Sequence, residues 1–171
     1  MLCLIGIFLL YSICGTLLHF TFKLSNNNVV VGIISSVNES VWEHIKLLLT
    51  PIFIVSFINK NYNFFILLIE LISAIALIIF FYEIKEKLFK NKYGFINIFS
   101  FYIVCFIVSF EKCILCNNCK TSLWLNNISL IMVIIIFIMY LTFTIFPPRN
   151  KYFIDPITKK YGLDSYVNKS V

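Results

Sequence analysis

In a chain this apolar, chemistry sits with the few polar side chains, and the densest group of them is Asn38-Glu39-Ser40-Val41-Trp42-Glu43-His44-Ile45-Lys46. Wound as a helix at about 100° per residue, Glu39, Trp42, Glu43 and Lys46 share an arc of about 100°, with His44 about 100° round from Glu43. His19 lies about one turn before Lys23, and the two histidines of the chain fall at similar depth if the intervening segment turns the chain back. Imidazole and carboxylate are the usual ligands of Zn²⁺ outside thiolates. His19, Glu43 and His44, with Glu39 beside them, are therefore a candidate site for zinc or another divalent ion. Glu39, Glu43 and His44 also suit general acid–base work, because an imidazole titrates near neutrality. Asn38, Trp42, Lys46 and Asp155 are candidate binding residues, with Trp42 and Lys46 meeting the apolar and anionic parts of a substrate. The spacing matches neither HExxH nor the ExxH pairs of di-iron bundles.

Ordinary structural roles account for part of this group. Ser36-x-x-Glu39 fits a capping box, and acids in a first turn complement the helix dipole. Trp and Lys are standard anchors at a membrane interface. A cap needs one Glu and an interface one aromatic, so the ensemble exceeds both.

Three further features stand out. Glu70 lies inside an apolar run, and an intramembrane carboxylate marks an ion ligand or proton relay unless it only hydrogen-bonds a neighbour such as Ser73. Cys113-x-x-Cys116-x-x-Cys119 falls between two apolar runs and suits thiol chemistry better than metal, because a structural zinc site wants a fourth ligand. Cys3, Cys14 and Cys105 read as small packing residues.

The elements that must position these groups follow from composition. The chain has 171 residues, 60% hydrophobic and 13% charged. A soluble domain is about 45–50% apolar and about 25% charged. That excludes a soluble fold, a disordered chain and a disulfide-stapled miniprotein. Heavy use of Ile, Phe, Asn, Lys and Tyr fits an AT-rich coding sequence, so the 18% aromatic content carries no stacking signal. The net charge of +6 does not point to nucleic acid, because the basic residues sit between apolar spans. The first apolar run has no positively charged n-region, Lys23 being the first basic residue, so it is expected to remain as a transmembrane helix rather than a cleaved signal.

The expected fold is all-α: a polytopic membrane protein of five transmembrane helices over about 2–22, 37–58, 64–82, 95–110 and 123–146. These form one domain over 1–147. Pro51 is expected to kink the second span, and Pro147-Pro148 to stop the fifth. Residues 148–171 form a tail in which Asp155-Pro156 and Gly162 turn the chain back onto the membrane domain, carrying Asp155 towards the His/Glu cluster. With five spans, Lys23, Lys46, Lys85, Lys87, Lys90, Lys92, Arg149, Lys151, Lys159, Lys160 and Lys169 share one side, against Lys60, Lys112 and Lys120 on the other. The positive-inside rule then places the N-terminus outside and the tail in the cytoplasm of the cell membrane. There is no internal repeat of the kind that builds secondary transporters.

The run Leu17-Leu18-His19-Phe20, the stretch VNESVWEHIKLLLTP from Val37 to Pro51 and the ending PPRNKYFIDPITKKYG from Pro147 to Gly162 resemble the small bacterial membrane proteins grouped as domain of unknown function 6512. The resemblance covers nearly the whole chain. It implies an integral membrane protein and maps the family signature onto His19, Asn38, Glu39, Ser40, Trp42, Glu43, His44 and Lys46, then Pro148, Asp155, Pro156 and Gly162. The cysteine cluster is outside that pattern.

The leading functional expectation is metal-assisted hydrolysis of a lipid-borne or amphiphilic substrate at the cytoplasmic interface, with a divalent ion such as zinc as cofactor. The rival is a transport or assembly subunit, acting through a membrane-protein partner or a second copy, in which the cluster is a structural polar lock. Ion or proton passage through Glu70 would instead need a polar path from Glu70 to the cluster.

Overall fold

The computed structural model describes residues 2–58, 63–89, 95–118 and 120–165. Among the described residues six α-helices follow one another: α1 Leu2–Leu24, α2 Val29–Ile34, α3 Val41–Ile58, α4 Phe64–Phe89, α5 Phe95–Asn118 and α6 Leu123–Thr142, with a short 3₁₀ turn at Gly162–Ser165. Five of them, all but α2, are long and apolar enough to cross a membrane. The all-α, five-span architecture expected from composition is the one observed among the described residues. Because the long helices alternate in direction, the end of α1, the starts of α3 and α5, and the ends of α4 and α6 meet at one end of the bundle.

α3 is the central helix. Of its apolar window, 72% is buried inside the protein, against 17–28% for the other four spans. It packs against α1 and α4, while α4 also packs on α5 and α6, and α1 on α5. Leu48, Leu49, Ile52, Leu71, Val104 and Val108 fill the space between them. The outer helices turn Leu17, Phe20, Phe99, Ile131 and Phe137 outward, the arrangement expected where lipid rather than water surrounds the bundle. Pro51 has no N–H to give the carbonyl of Leu47 one turn back. Gly15 of α1 approaches that carbonyl: a Cβ there would lie 3.0 Å from the Leu47 oxygen and 2.5 Å from Cζ of Phe101.

Several boundaries differ from the sequence reading. The second span starts at Val41 rather than near residue 37. Residues 35–40 are irregular yet buried, apart from the half-buried Glu39, and side chains satisfy much of their backbone. Glu43 accepts from the N–H of Val37 at 2.9 Å, Asn38 Oδ1 accepts from the N–H of Ser40 at 2.9 Å, and Ser36 Oγ donates to the carbonyl of Asn38 at 2.7 Å. Non-helical backbone at membrane depth is tolerated only where protein supplies such partners. The cap of α3 is accordingly Ser40, whose Oγ accepts from the N–H of Glu43 at 3.4 Å, not the Ser36-x-x-Glu39 box.

The Val-rich stretch after the first span is α2, capped by the Asn28 side chain. Asn26 and Asn27 adopt φ of 54° and 60° and turn the chain out of α1, a conformation asparagine tolerates better than most residues. α4 runs on to Phe89 and α5 to Asn118, so Glu83, Lys85, Lys112, Cys113 and Cys116 are helical rather than in connectors. α6 ends at Thr142, four residues before the expected stop.

The segment after α6 lies across the α3 end of the bundle. Phe153 stacks on Trp42 with ring centroids 5.2 Å apart and an interplanar angle of 25°. The N–H of Trp42 donates to the carbonyl of Tyr152 at 3.0 Å, and Ile154 and Tyr161 form an isolated antiparallel bridge.

Candidate functional site

Glu39 belongs to no helix, so its side chain does not follow the α3 face that carries Trp42, Glu43 and Lys46. It turns instead between the two histidines. Glu39 Oε1 is 3.6 Å from His19 Nε2, and Glu39 Oε2 is 3.7 Å from His44 Nε2. The imidazole centroids are 5.8 Å apart. His19 comes from the last turns of α1, Glu39 from the irregular segment and His44 from the first turn of α3. One donor atom from each lies within 4.8 Å of the others.

The polarity of this trio is set by its neighbours. His44 Nδ1 lies 2.9 Å from the backbone carbonyl of Ser40, which can only accept. Nδ1 therefore donates, which leaves Nε2 as the ring nitrogen that faces Glu39. Both Glu39 contacts exceed hydrogen-bond length. They lie close to the separation of about 3.4 Å between two donors sharing a tetrahedral ion with bonds of about 2.0–2.1 Å. A backbone carbonyl fixing the outer nitrogen of a histidine is also the usual support for a metal-ligating imidazole. The donor types suit a divalent ion, and the three donor atoms, within 4.8 Å of one another, would close by up to about 1.4 Å to share a tetrahedral one. His19 Nδ1 is buried without a hydrogen-bond partner among the described residues.

The other candidates are arranged differently. Glu43 is not a member of the trio: it pairs with Lys46 at 2.8 Å, and the two side chains are 2% and 0% exposed. Lys46 also donates to the carbonyl of Gly32 at 2.9 Å and to Thr144 Oγ1 at 2.6 Å, tying α2 and the segment just after α6 to α3. The expected metal set of His19, Glu43 and His44 therefore does not converge, because burial commits Glu43 to the ammonium one turn away. Trp42 and Lys46, expected to face a substrate, are both buried. Asn38 is a clasp on the returning tail, its amide donating to the Gly162 carbonyl at 3.1 Å and to Ser165 Oγ at 3.3 Å. Asp155 is buried and organises its own turn, accepting from the N–H groups of Ile157 and Thr158 and from Thr158 Oγ1. It nonetheless lines a small cavity of about 50 Å³ together with His19, Asn38 and Glu39.

A larger cavity, about 260 Å³, is lined by Glu39 and His44. Its walls come from α3, α4, α5 and the tail. Val41, Ile78, Phe81, Phe101, Val104 and Ile154 are apolar, whereas Lys85, Glu86, Asn97, Lys151 and Lys159 are polar. Lys85 is held by Asn97 Oδ1 at 2.7 Å. Lys151 pairs with Glu83 at 2.5 Å, and Tyr152 donates its hydroxyl to the same oxygen at 2.8 Å. Hydrogen bonding to Glu83 raises the pKa of both the Lys151 ammonium and the Tyr152 hydroxyl. None of these rim residues stood out in the sequence, because each reads as an ordinary charge flanking a span.

Glu70 lies near the other end of the bundle. It is fully buried, and Lys112 of α5 reaches both of its oxygens, at 2.8 and 2.9 Å. Tyr11 contributes its hydroxyl at 3.5 Å. Ser73 donates to Glu111 at 2.6 Å and to the Glu70 backbone carbonyl at 3.2 Å rather than to the Glu70 carboxylate. The missed signal was that Glu111-Lys112 interrupts an apolar run which resumes at once with Cys113-Ile114-Leu115-Cys116. Cys113 and Cys116 occupy the last turns of α5. Cys119 lies outside the described residues.

Together these features define a helical membrane protein of five spans, with a His/Glu donor set beside an amphiphilic cavity at one end. The chain belongs to the Family of unknown function (DUF6512), whose pattern matches residues 2–163. No curated protein and no solved structure matches it.

Proposed function

We propose that this chain is a divalent-metal-dependent membrane hydrolase acting on an amphiphile with an anionic head group, its site facing the cytoplasm of the cell membrane. One observation carries the reading. Glu39 and His44 belong both to the donor set and to the wall of the 260 Å³ cavity, so an ion held there would stand beside whatever fills the cavity. The apolar wall suits an acyl or similar chain, and Lys85, Lys151 and Lys159 suit a phosphate or carboxylate at its head. His19, Glu39 and His44 would hold the ion. A bound divalent ion supplies Lewis-acid polarisation and an activated water at neutral pH. Glu86, on the same wall and hydrogen-bonded to Tyr82, is the candidate to take a proton, since Glu43 is committed to Lys46. The excess of Lys and Arg at this end of the spans supports the cytoplasmic orientation.

The rival, a transport or assembly subunit with the cluster as polar lock, is less well supported. The hydrogen bonds that clasp α2, the segment after α6 and the tail at this end are made by Lys46, Asn38 and Trp42, whereas the contacts of Glu39 with His19 and His44, at 3.6 and 3.7 Å, are longer than hydrogen bonds.

The test is elemental analysis of the detergent-purified full chain, beside His19→Ala, Glu39→Gln and Glu43→Gln. One equivalent of metal in the wild type, lost in the first two variants and kept in any Glu43→Gln that folds, is expected. Metal-loaded protein should then release a head group or chain from phosphate-ester amphiphiles in mixed micelles. No metal after reconstitution with zinc, manganese and iron would sink the proposal. Stoichiometric metal without hydrolysis across phosphate- and carboxylate-ester amphiphiles would favour the rival.

A further inference from the structure

At the end of the bundle away from the donor set, Cys3 in the first turn of α1 meets Cys113 in the last turns of α5, their sulfurs 3.6 Å apart. We propose that Cys3 and Cys113 are a disulfide-forming pair, oxidised by a small disulfide or a dithiol–disulfide exchange protein. Three observations support this. The contact joins residues 110 positions apart in sequence, so helix packing and not local spacing brings the thiols together. Cys3 is exposed and Cys113 half-buried, which leaves one sulfur open to attack and the other held close behind it. The sulfurs need to approach by about 1.5 Å to reach the bonded distance of about 2.0 Å.

The reaction balances as two exchanges. The Cys3 thiolate attacks a sulfur of the oxidant's disulfide, forming a mixed disulfide and releasing one thiolate. The Cys113 thiolate then attacks the Cys3 sulfur and expels the second. Two electrons pass to the oxidant, and the two protons lost by Cys3 and Cys113 end on its thiols. The product ties α1 to α5 next to Lys112, and so holds that ammonium against Glu70.

The test uses the detergent-solubilised full chain, reduced, freed of reductant and treated with oxidised glutathione. Thiols are then counted with a mass-tagged maleimide, and the protein is digested without reduction for peptide mass spectrometry. The expected result is loss of two reactive thiols and a peptide joining Cys3 to Cys113, still present in a Cys116→Ser, Cys119→Ser double variant. A shift of the thermal unfolding midpoint upward on oxidation, reversed by reductant, is also expected. A Cys113–Cys116 or Cys113–Cys119 linkage as the main product, glutathione adducts alone, or a disulfide between two chains would each overturn the pair. Because wild-type peptides report the linkage directly, the result does not depend on whether the double variant folds.

Discussion

The ammonium of Lys46 meets the carboxylate of Glu43 at 2.8 Å, one helical turn apart, with neither side chain more than 2% exposed. Removing one partner of such a pair strands a buried charge, whereas replacing both with apolar groups need not. Lys46→Met is therefore expected to cost about 3–5 kcal/mol and to lower the detergent unfolding midpoint sharply. The double variant Glu43→Leu, Lys46→Met should recover much of that loss, though not all, because the N–H of Val37 loses its acceptor. A double variant no more stable than Lys46→Met would show that the pair matters through its hydrogen bonds to other elements rather than through its own charge.

Gly162 is the point at which the tail is clasped. It adopts φ of +47°, and a Cβ there would lie 2.5 Å from the Thr144 carbonyl oxygen, while its own carbonyl accepts from Asn38. Gly162→Ala should cost about 1–3 kcal/mol from the left-handed conformation and the backbone clash. Asn38→Ala should cost a similar amount through lost hydrogen bonds to buried groups. Limited proteolysis checks both: cleavage near Arg149 and Lys151 should accelerate in each variant while the helical bundle stays resistant.

Trp42 and Phe153 are expected to respond unequally. The Trp42 indole N–H is buried without a hydrogen-bond partner among the described residues, so Trp42→Phe removes a costly polar group along with some packing. Phe153→Ala strips the ring that stacks on Trp42 and meets Phe143, which should cost about 3–5 kcal/mol. Unfolding midpoints of the two variants, measured side by side, decide the order.

Lys151 lies on the cavity rim, half exposed and paired with Glu83, so its contribution to stability is small. Lys151→Glu should leave the unfolding midpoint nearly unchanged yet weaken binding of a single-chain alkyl phosphate several-fold. The Glu83 hydrogen bond raises the Lys151 pKa. The ammonium is thus fully present below the ordinary lysine value and is lost only as pH rises through the raised one. The affinity difference between wild type and Lys151→Glu should accordingly persist through neutral and mildly alkaline pH. Equal affinities at pH 7 would remove Lys151 from the proposed head-group site.

Apolar runs near bilayer length, separated by charge clusters, are enough to read the all-α, five-span class from the chain, because backbone groups in lipid must be satisfied within a helix or a closed barrel, and continuous apolar runs of this length suit only the helix. The stretch around Asn38 to Lys46 was likewise conspicuous as a polar group in an apolar sequence. Its division of labour was not. A single departure from helical geometry before Val41 turns Glu39 towards His19 and His44 and leaves Glu43 facing Lys46, so two carboxylates four residues apart do different work. That departure depends on Asn38 being clasped by Gly162 and Ser165, more than 120 residues away. The same limit hid Lys112 opposite Glu70, Cys3 opposite Cys113, and the cavity beside His44. Hydropathy reports which segments enter the membrane; which side chains meet there is decided by how the helices pack.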